Sequence, residues 1–417
     1  MAISQRIVCL TLLGVFASIP VAAGESVPTF TRDVAPIFYE NCVSCHRPGE
    51  FAPMSLITYD DARPWARAIK QRVEAREMPP WDAEPGHQTY VNDASLSLNE
   101  IQTISAWVDG GSPKGDDVHL PRIPEFASEW TIGEPDLVLS MIEPYAVPAD
   151  GTVPYLYFTV PTKFKEDKWL QAVELRPGDR RVVHHVIATL QSPDGKKAPS
   201  AKPSLTRSQK RTTGSLGGTV PNKLGVVYPD GVAKKIEAGT EIVLQMHYTT
   251  IGEATTDQTS VGLIFSDSPP NRTVGGGQVI NLRFEIPAGA ENYEVRAERT
   301  IKEDTYLTHM TPHMHSRGKS FAYTAVYPDG TEEMLLNVPN YRFDWQLTYE
   351  FEQPKLLPAG TKLVGVAHYD NSVKNRDNPD ATADVRWGDQ TWEEMMIGFY
   401  GTVGTANVIK ATTNNNE

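Results

Sequence analysis

Short runs of alternating apolar and polar residues make up most of the sequence after residue 136. Alternation with a period of two is the pattern of a strand with one buried face, and many such runs separated by turn residues such as Pro328-Asp329-Gly330 are typical of antiparallel β-sandwiches. The runs lie at residues 137–141, 155–160, 169–175, 182–190, 241–248, 260–265, 279–286, 321–326, 362–369 and 395–400. Because this stretch is long for one sandwich, we expect two tandem all-β sandwich domains, at residues 129–272 and 273–410, followed by a disordered tail at 411–417. A stretch rich in Ser, Lys, Arg and Gly at 198–222 is expected to be a solvated loop.

The residues before this stretch carry a different periodicity. Apolar residues recur at helical spacing in three segments, which contain Val34, Trp65 and Ile101 respectively. The third segment begins with Ser97-Leu98-Asn99-Glu100, the pattern of a capping box. Three short helices are therefore predicted between residues 24 and 111. Residues 112–128 are rich in Pro, Gly and Asp without periodicity, so we expect a linker there.

A c-type haem attachment pattern lies between the first two helical segments. Cys42-Val43-Ser44-Cys45-His46 places two thiols one helical turn apart and a histidine directly after them. The thiols can bond both vinyl groups of a haem, and His46 can then bind the iron. A redox-active disulfide is the alternative, but the βαβ setting of thioredoxin-like proteins is missing. We therefore predict that residues 24–111 form a small all-α cytochrome c domain with one haem c per chain.

The second axial ligand of the iron is predicted to be a methionine. Met54 and Met78 both follow the attachment motif. Met54 is close to His46 in sequence, which leaves little chain to reach the opposite face of the haem. Met78 lies beyond the second helical segment, before two prolines that stiffen its loop. We predict Met78 as the ligand, with Met54 and then His87 as alternatives.

The first 23 residues have the features of a signal peptide. A charged start at Arg6 is followed by an apolar run and by the small residues Val21-Ala22-Ala23. A retained membrane anchor is the alternative, but the apolar run is short for a membrane span. We expect a periplasmic or secreted protein with no membrane span after cleavage. The formal net charge of -13 argues against nucleic acid as a partner.

Histidines in the two predicted sandwiches have the spacing of metal ligands. His313 and His315 are two residues apart, so on a strand they would share a face. His184 and His185 are adjacent, so for both to bind one ion their strand must bend, or the two rings must use different nitrogens. His247 follows an apolar run. Imidazoles suit zinc, copper, iron or nickel.

With Met395, these histidines occur in the order found in a known family. Between about residues 130 and 408 the chain resembles the copper type II, ascorbate-dependent monooxygenases, the family of peptidylglycine hydroxylating monooxygenase and dopamine β-monooxygenase. The adjacent histidine pair matches His184 and His185, and the family's LQxHY histidine matches His247. The His-x-His pair matches His313 and His315, and the Glu-Met pair matches Glu394 and Met395.

The resemblance implies two tandem jelly-roll-like sandwiches that bind two copper ions per chain. His184, His185 and His247 would hold the electron-transfer copper. His313, His315 and Met395 would hold the copper that meets O₂ and are the expected catalytic residues. The chain departs from the family at three points: the cystine framework is missing, Thr311 replaces an arginine that grips a peptide carboxylate, and Phe399 replaces a substrate-binding tyrosine.

These expectations together describe a copper monooxygenase fused to a cytochrome. It would hydroxylate a C–H bond of an unknown small-molecule or peptide-like substrate with O₂. A periplasmic donor would supply electrons, which the haem relays. The alternative is a non-catalytic periplasmic electron-transfer or copper-binding protein that has the same ligands.

Covalent haem attachment can be tested directly. Protein expressed in a periplasm with haem-attachment machinery is expected to be red and to keep its haem through denaturation. Cys42→Ala combined with Cys45→Ala should abolish the denaturation-resistant haem, while Ser44→Ala should keep it. Haem that extracts freely from the parent protein into an acidified organic solvent would contradict covalent attachment.

Overall fold

The structure is a computed structural model that describes residues 27–50, 52–126, 130–191, 202–204, 212–219 and 225–405. The predicted signal peptide at 1–23 and the predicted tail at 411–417 lie outside these residues. In the part of the chain that is described, no helix has the length and apolar character needed to cross a membrane.

Among the described residues, the α-helices all lie in the N-terminal region. The four α-helices there are α1 (Ala35–Asn41), α2 (Tyr59–Ala62), α3 (Ala66–Glu74) and α4 (Leu98–Asp109). The capping box predicted at the start of α4 is confirmed, because Ser97 Oγ accepts a hydrogen bond from the Glu100 N–H at 3.2 Å and Glu100 bonds back to the Ser97 N–H. Phe30, Phe38, Ile104 and Trp107 are fully buried in a separate small core. The helices are short, and a helical cytochrome c domain is not evident from them alone.

The rest of the described chain is mostly β-sheet, in agreement with the predicted sandwich class. The strands are β1 (Leu137–Ser140), β2 (Tyr145–Val147), β3 (Leu156–Pro161), β4 (Lys168–Arg176), β5 (Val183–Gln191), β6 (Thr212–Thr219), β7 (Gly225–Val227), β8 (Val232–Ile236), β9 (Glu241–Tyr248), β10 (Thr255–Asp257), β11 (Ser260–Phe265), β12 (Arg272–Asn281), β13 (Glu285–Ile286), β14 (Tyr293–Thr300), β15 (Thr305–His313), β16 (Gly318–Val326), β17 (Glu332–Val338), β18 (Tyr349–Leu357), β19 (Lys362–Tyr369), β20 (Val385–Arg386) and β21 (Met396–Gly404). The loop expected at 198–222 is wrong in part, because β6 lies within it.

One long sheet runs through both halves of the β region. Its strand order is β1-β11-β4-β8-β12-β21-β15-β18, with β7 paired to β4. The halves meet where β8 and β12 pair in parallel, Val232 with Arg272 and Ala233 with Thr273. Two four-stranded sheets, β3-β9-β5-β6 and β14-β19-β16-β17, complete the two halves.

Each half has its own apolar core between two layers of sheet. The first core contains Leu170, Ile236, Leu244 and Leu263, which come from both the long sheet and the β3-β9-β5-β6 sheet. The second core draws residues such as Leu307 and Leu357 from the long sheet and Phe321 and Leu363 from the β14-β19-β16-β17 sheet. Alternate strand residues face these cores, which explains the period of two in the sequence.

Neighbouring leucines on β18 test this packing. Leu357 is fully buried in the second core, whereas Leu356 faces outward and is 45% exposed. Leu357→Ala should lower the free energy of unfolding by about 2–5 kcal/mol, because it removes buried contacts and leaves a cavity. Leu356→Ala should change it by only about 0.5 kcal/mol. Urea unfolding of both variants measures the two changes in the free energy of unfolding. Equal decreases would show that β18 does not bury Leu357 and expose Leu356.

Candidate functional site

His184, His185 and His247 come together on two paired strands. In the antiparallel pair of β5 and β9, His185 lies opposite His247, and the register shifts between Val183 and His185. The extra residue of this β-bulge is His184, so the strand bends and adjacent residues need not face opposite sides. One nitrogen from each ring lies within 4.8 Å of the others. We call these residues the three-histidine cluster.

The three-histidine cluster is neutral at neutral pH. Burial lowers the pKa of His247 to about 3 and, with neighbouring imidazoles adding to the effect, holds the pKa of His185 well below its usual value. Among the described residues, His185 Nε2 and His247 Nδ1 are buried without a hydrogen-bond partner. Buried polar atoms are rarely left without a hydrogen-bond partner. Unpaired imidazole nitrogens in a cluster of three histidines are therefore consistent with a metal-binding site.

His313 and His315 form a second group. Their rings lie 5.3 Å apart at 87° to each other, and both are buried. β15 ends at His313, so the expectation that both residues lie on one strand is wrong. The chain leaves the sheet because the His315 N–H bonds to the Glu394 carboxylate at 2.9 Å rather than to a neighbouring strand. Their proximity therefore comes from this turn, not from strand alternation.

Hydrogen bonds fix which nitrogen each ring presents. His313 Nδ1 lies 2.6 Å from Gln346 Oε1, and His315 Nδ1 lies 3.0 Å from the Glu393 carbonyl oxygen. Both acceptors require the proton on Nδ1, which leaves Nε2 with a lone pair. Among the described residues His315 Nε2 is buried and has no partner. Burial lowers the pKa of His313 to about 4 and that of His315 to about 3.

Met395 is joined to the His315 turn by Glu394. The Glu394 carboxylate accepts the N–H groups of His315 at 2.9 Å, Arg317 at 2.8 Å and Met395 at 3.2 Å. Burial raises the pKa of Glu394 to about 7, while the three hydrogen bonds and Arg317 oppose that shift. Met395 is itself 5% exposed. We call His313, His315 and Met395 the His-Met cluster.

The two clusters share aromatic neighbours and one cleft. The Tyr155 ring lies 4.9 Å from the His247 ring and 6.2 Å from the His315 ring, and the Phe343 ring lies 5.9 Å and 6.0 Å from the same two rings. A cleft of about 1700 Å³ is lined by His185, His313 and Met395, among other residues. One residue of the first predicted ligand set and two of the second therefore line a common space.

The haem-attachment motif forms a turn after α1. The N–H groups of Cys45 and His46 bond to the Cys42 carbonyl at 3.2 Å and 2.9 Å, so both thiols lie on one turn, and they are not joined in a disulfide. His46 Nδ1 lies 3.2 Å from the Met54 carbonyl oxygen, which leaves Nε2 available for an iron. The backbone at Met54 is thus close to His46, as its sequence position implied. The two thiols thus lie on one turn, and the Nε2 atom of the adjacent histidine is available to bind iron. This arrangement is consistent with a covalently attached haem.

The two remaining candidate ligands lie in the loop that follows α3. Met78 follows Glu77 in this loop, and its N–H bonds to the Arg72 carbonyl at 3.3 Å. His87 pairs with Glu84 at 3.1 Å. The choice of Met78 over Met54 stays a prediction.

The N-terminal region contacts the segments that carry both clusters. Glu50, four residues after His46, pairs with Arg180 at 2.5 Å, and Arg180 lies four residues before His184. In the other half, Asp82 pairs with Arg342 at 2.8 Å. The haem-attachment turn and the Met78 loop therefore each contact the β region.

Four residues near the clusters were not identified from the sequence as parts of a site. Glu394 was recognised only as half of a Glu-Met pair, and its position before Met395 was the available signal. Tyr155, Phe343 and Gln346 are distant in sequence from the ligands they contact, so no local pattern marks them.

Comparisons with known proteins identify no family. No family model and no curated protein matches the chain. Among solved structures, the major capsid protein P2 of bacteriophage PM2 matches with 9% identity and a TM-score of 0.29, covering 64% of this chain and 96% of that one. The STIV MCP matches with 7% identity and a TM-score of 0.27 over 64% and 96%, and an allantoicase with 9% and 0.17 over 54% and 81%. At these scores the likenesses carry no information about function.

The neutral histidines predict a pH dependence of stability in the metal-free protein. The pKa values of His247, His313 and His315 are lowered to about 3, 4 and 3, whereas an unfolded histidine has a pKa of about 6.5. Between these values the unfolded chain binds more protons, so stability is full above about pH 6.5 and falls as pH drops towards about 4. Each imidazole should contribute at most about 3 kcal/mol to this fall.

Urea unfolding of the metal-free protein between pH 7 and pH 4 measures that dependence. His315→Asn should reduce the slope of unfolding free energy against pH, while His119→Asn, at an exposed position, should leave it unchanged. Equal slopes in the parent and His315→Asn would contradict a buried neutral imidazole at position 315.

Proposed function

We propose that this protein is a copper type II monooxygenase that hydroxylates a C–H bond of a small-molecule or peptide-like substrate, with electrons relayed by a covalently attached c-type haem. The reaction consumes O₂, two electrons and two protons, and gives the hydroxylated product and water. The proposal rests on one observation. Two different sets of possible metal-binding side chains share aromatic neighbours and contribute residues to one cleft. One set has three imidazoles. The other has two imidazoles and Met395, whose N–H shares the Glu394 carboxylate with the N–H of His315.

The donor types support a division of labour between the clusters. Imidazole nitrogens bind both Cu(I) and Cu(II), whereas the soft thioether sulfur of Met395 favours Cu(I). When bound, copper would supply one-electron redox chemistry at both clusters and would bind O₂ at the His-Met cluster. His184, His185 and His247 would hold the electron-transfer ion, and His313, His315 and Met395 the ion at which substrate reacts.

Hydrogen bonds from surrounding residues orient the proposed ligands without the help of a bound ion. Gln346 and the Glu393 carbonyl hold the Nδ1 protons of His313 and His315, so each ring presents a neutral Nε2. Glu394 fixes the backbone on both sides of the His-Met cluster. Tyr155 and Phe343 each contact a histidine ring of both clusters, so both clusters share these aromatic neighbours.

The haem would be held by Cys42 and Cys45 through thioether bonds, with His46 and Met78 as axial ligands. A covalent haem would supply single electrons, which suits two clusters that each accept one. The contacts of Glu50 with Arg180 and of Asp82 with Arg342 support a region fixed beside both clusters. In this proposal residues 24–111 are the cytochrome c domain, and 129–272 and 273–410 are two jelly-roll-like copper domains of an exported protein.

The competing proposal is a protein that carries electrons or copper without catalysis. A carrier needs buried ligands but no space for a substrate beside them. In the proposed enzyme, the cleft that His313 and Met395 help to line would give a substrate access to the His-Met cluster.

Adjacent methionines provide the test. Met395 is a proposed ligand, whereas Met396 is fully buried in the second core. Met395→Ile should reduce the copper content from two ions to one, abolish carbon monoxide binding by the reduced protein and remove most reductant-dependent O₂ uptake. Met396→Ile should keep both ions, carbon monoxide binding and O₂ uptake.

Each of these changes should cost less than about 1.5 kcal/mol of folding stability, so thermal unfolding can be measured beside activity. Full copper content and full O₂ uptake in Met395→Ile would make Met395 a packing residue and would refute the assigned ligand set. Two bound coppers with no O₂ uptake in the parent protein under any reductant would favour the carrier.

A further inference from the structure

One short segment contacts both histidine clusters and the loop that contains Met78. Residues 341–346, here called the bridging segment, connect β17 to β18 and include a 3₁₀ turn at Phe343–Trp345. They pass from the β14-β19-β16-β17 sheet to the long sheet. Side chains along the segment contact the Met78 loop, the three-histidine cluster and the His-Met cluster.

Arg342 joins the bridging segment to the Met78 loop. Its Nη2 and Nε atoms bond to the two Asp82 carboxylate oxygens at 2.8 Å and 3.2 Å, and its Nη1 donates to the Glu77 carbonyl oxygen at 3.0 Å. The Asp82 side chain is only 10% exposed, so this pair is largely shielded from solvent. A guanidinium can make these three bonds at once because its donors form a rigid fork, which a lysine lacks.

The next residues contact the three-histidine cluster. The Phe343 ring lies 6.4 Å from the His184 ring, to which it is nearly parallel, and 5.9 Å from the His247 ring. Asp344 Oδ1 lies 3.9 Å from His184 Nε2. A shift of the segment therefore changes the surroundings of His184 and His247 together.

The same segment also contacts the His-Met cluster. Gln346 Oε1 lies 2.6 Å from His313 Nδ1, and the Phe343 ring lies 6.0 Å from the His315 ring. Tyr341 Oη donates to the Met314 carbonyl at 2.8 Å and accepts the Met314 N–H at 3.1 Å. The residue between the two histidines is thus held by the start of the segment.

We propose that the bridging segment couples the haem to both copper sites, and that Arg342 is the positioning residue that sets this coupling. The inference rests on the proposed function. Arg342 fixes the Met78 loop against the backbone that carries Phe343, and the Phe343 ring contacts one histidine ring of each cluster. With the groups bound, Cys42, Cys45 and His46 would hold the haem and the two clusters would hold the copper ions. The electron that the haem loses would be the one that a copper ion gains, with no bond formed and no proton required.

The contact of Glu50 with Arg180 offers a competing route. Arg180 lies on the approach to β5 and its side chain is 25% exposed, comparable to Arg342 at 28%. If the haem-attachment turn delivered electrons through this contact, Arg180 rather than Arg342 would control their arrival. The two arginines can be compared in one assay.

The experiment measures electron transfer within the full-length protein loaded with haem and two Cu(II) ions. A short pulse of photoreduced flavin reduces the haem, and its reoxidation is followed by absorbance while the loss of Cu(II) is followed by electron paramagnetic resonance. Arg342→Gln should slow haem reoxidation by about tenfold or more, because small misplacements of a reacting pair have large kinetic effects. Haem and copper contents should be unchanged.

Four further variants complete the test. Arg180→Gln removes the competing contact with Glu50 and should keep the parent rate. Arg342→Lys keeps the charge without the fork and should give an intermediate rate, and Asp82→Asn should slow transfer without altering the bridging segment itself. Arg386→Gln breaks an exposed pair with Glu285 and should have no effect. Asp82→Asn keeps the proposal testable if Arg342→Gln fails to fold.

The outcomes separate this inference from the proposed function. Haem reoxidation within twofold of the parent in both Arg342→Gln and Asp82→Asn, with both metals retained, would overturn the inference and leave the monooxygenase proposal standing. A slow rate in Arg180→Gln alone would overturn it in favour of the other route. A parent protein without haem or without copper would remove the proposed function and this inference with it.

Discussion

The carboxylate of Glu394 is fully buried and accepts hydrogen bonds from three backbone N–H groups, those of His315, Arg317 and Met395. A buried acid without such partners would cost several kcal/mol, whereas three donors aimed at one carboxylate stabilise it. These bonds draw the chain out of β15 and hold Met395 beside the same turn. The His-Met cluster depends on this interaction together with the antiparallel register of β15 and β21. In that register His313 lies opposite Ile397, so the two chains lead on to His315 and Met395.

The position of the two clusters relative to each other depends on the long sheet. The parallel pairing of β8 with β12 joins the two sandwiches, and only two residue pairs form it. Tyr155 and Phe343 then contact rings from both clusters. In the proposed function, the two clusters would act together rather than as separate metal stores. The N-terminal region contacts Arg180 and Arg342, which lie in the segments that lead to the clusters.

The sequence predicted the strongly patterned elements and missed the weak ones. Residues 241–248 and 362–369 were predicted as strands and match β9 and β19, which are interior strands with buried neighbours on both sides. The edge strands β6, β14 and β18 were missed, although the edge strands β1 and β3 were predicted. The interior strand β8 was missed as well, because it is short and carries two lysines, Lys234 and Lys235, which break the apolar pattern. The metal-ligand candidates followed from motifs, but the bulge at His184 and the bridging segment depend on contacts between distant residues, which no local pattern encodes.

Anomalous X-ray diffraction at the copper edge, on crystals of the metal-loaded protein, would locate the copper ions and identify their ligands. We expect two copper peaks per chain, one bonded to His184, His185 and His247 and the other to His313, His315 and the Met395 sulfur. A single copper peak shared by the two clusters, or a second copper without the Met395 sulfur among its ligands, would contradict this expectation.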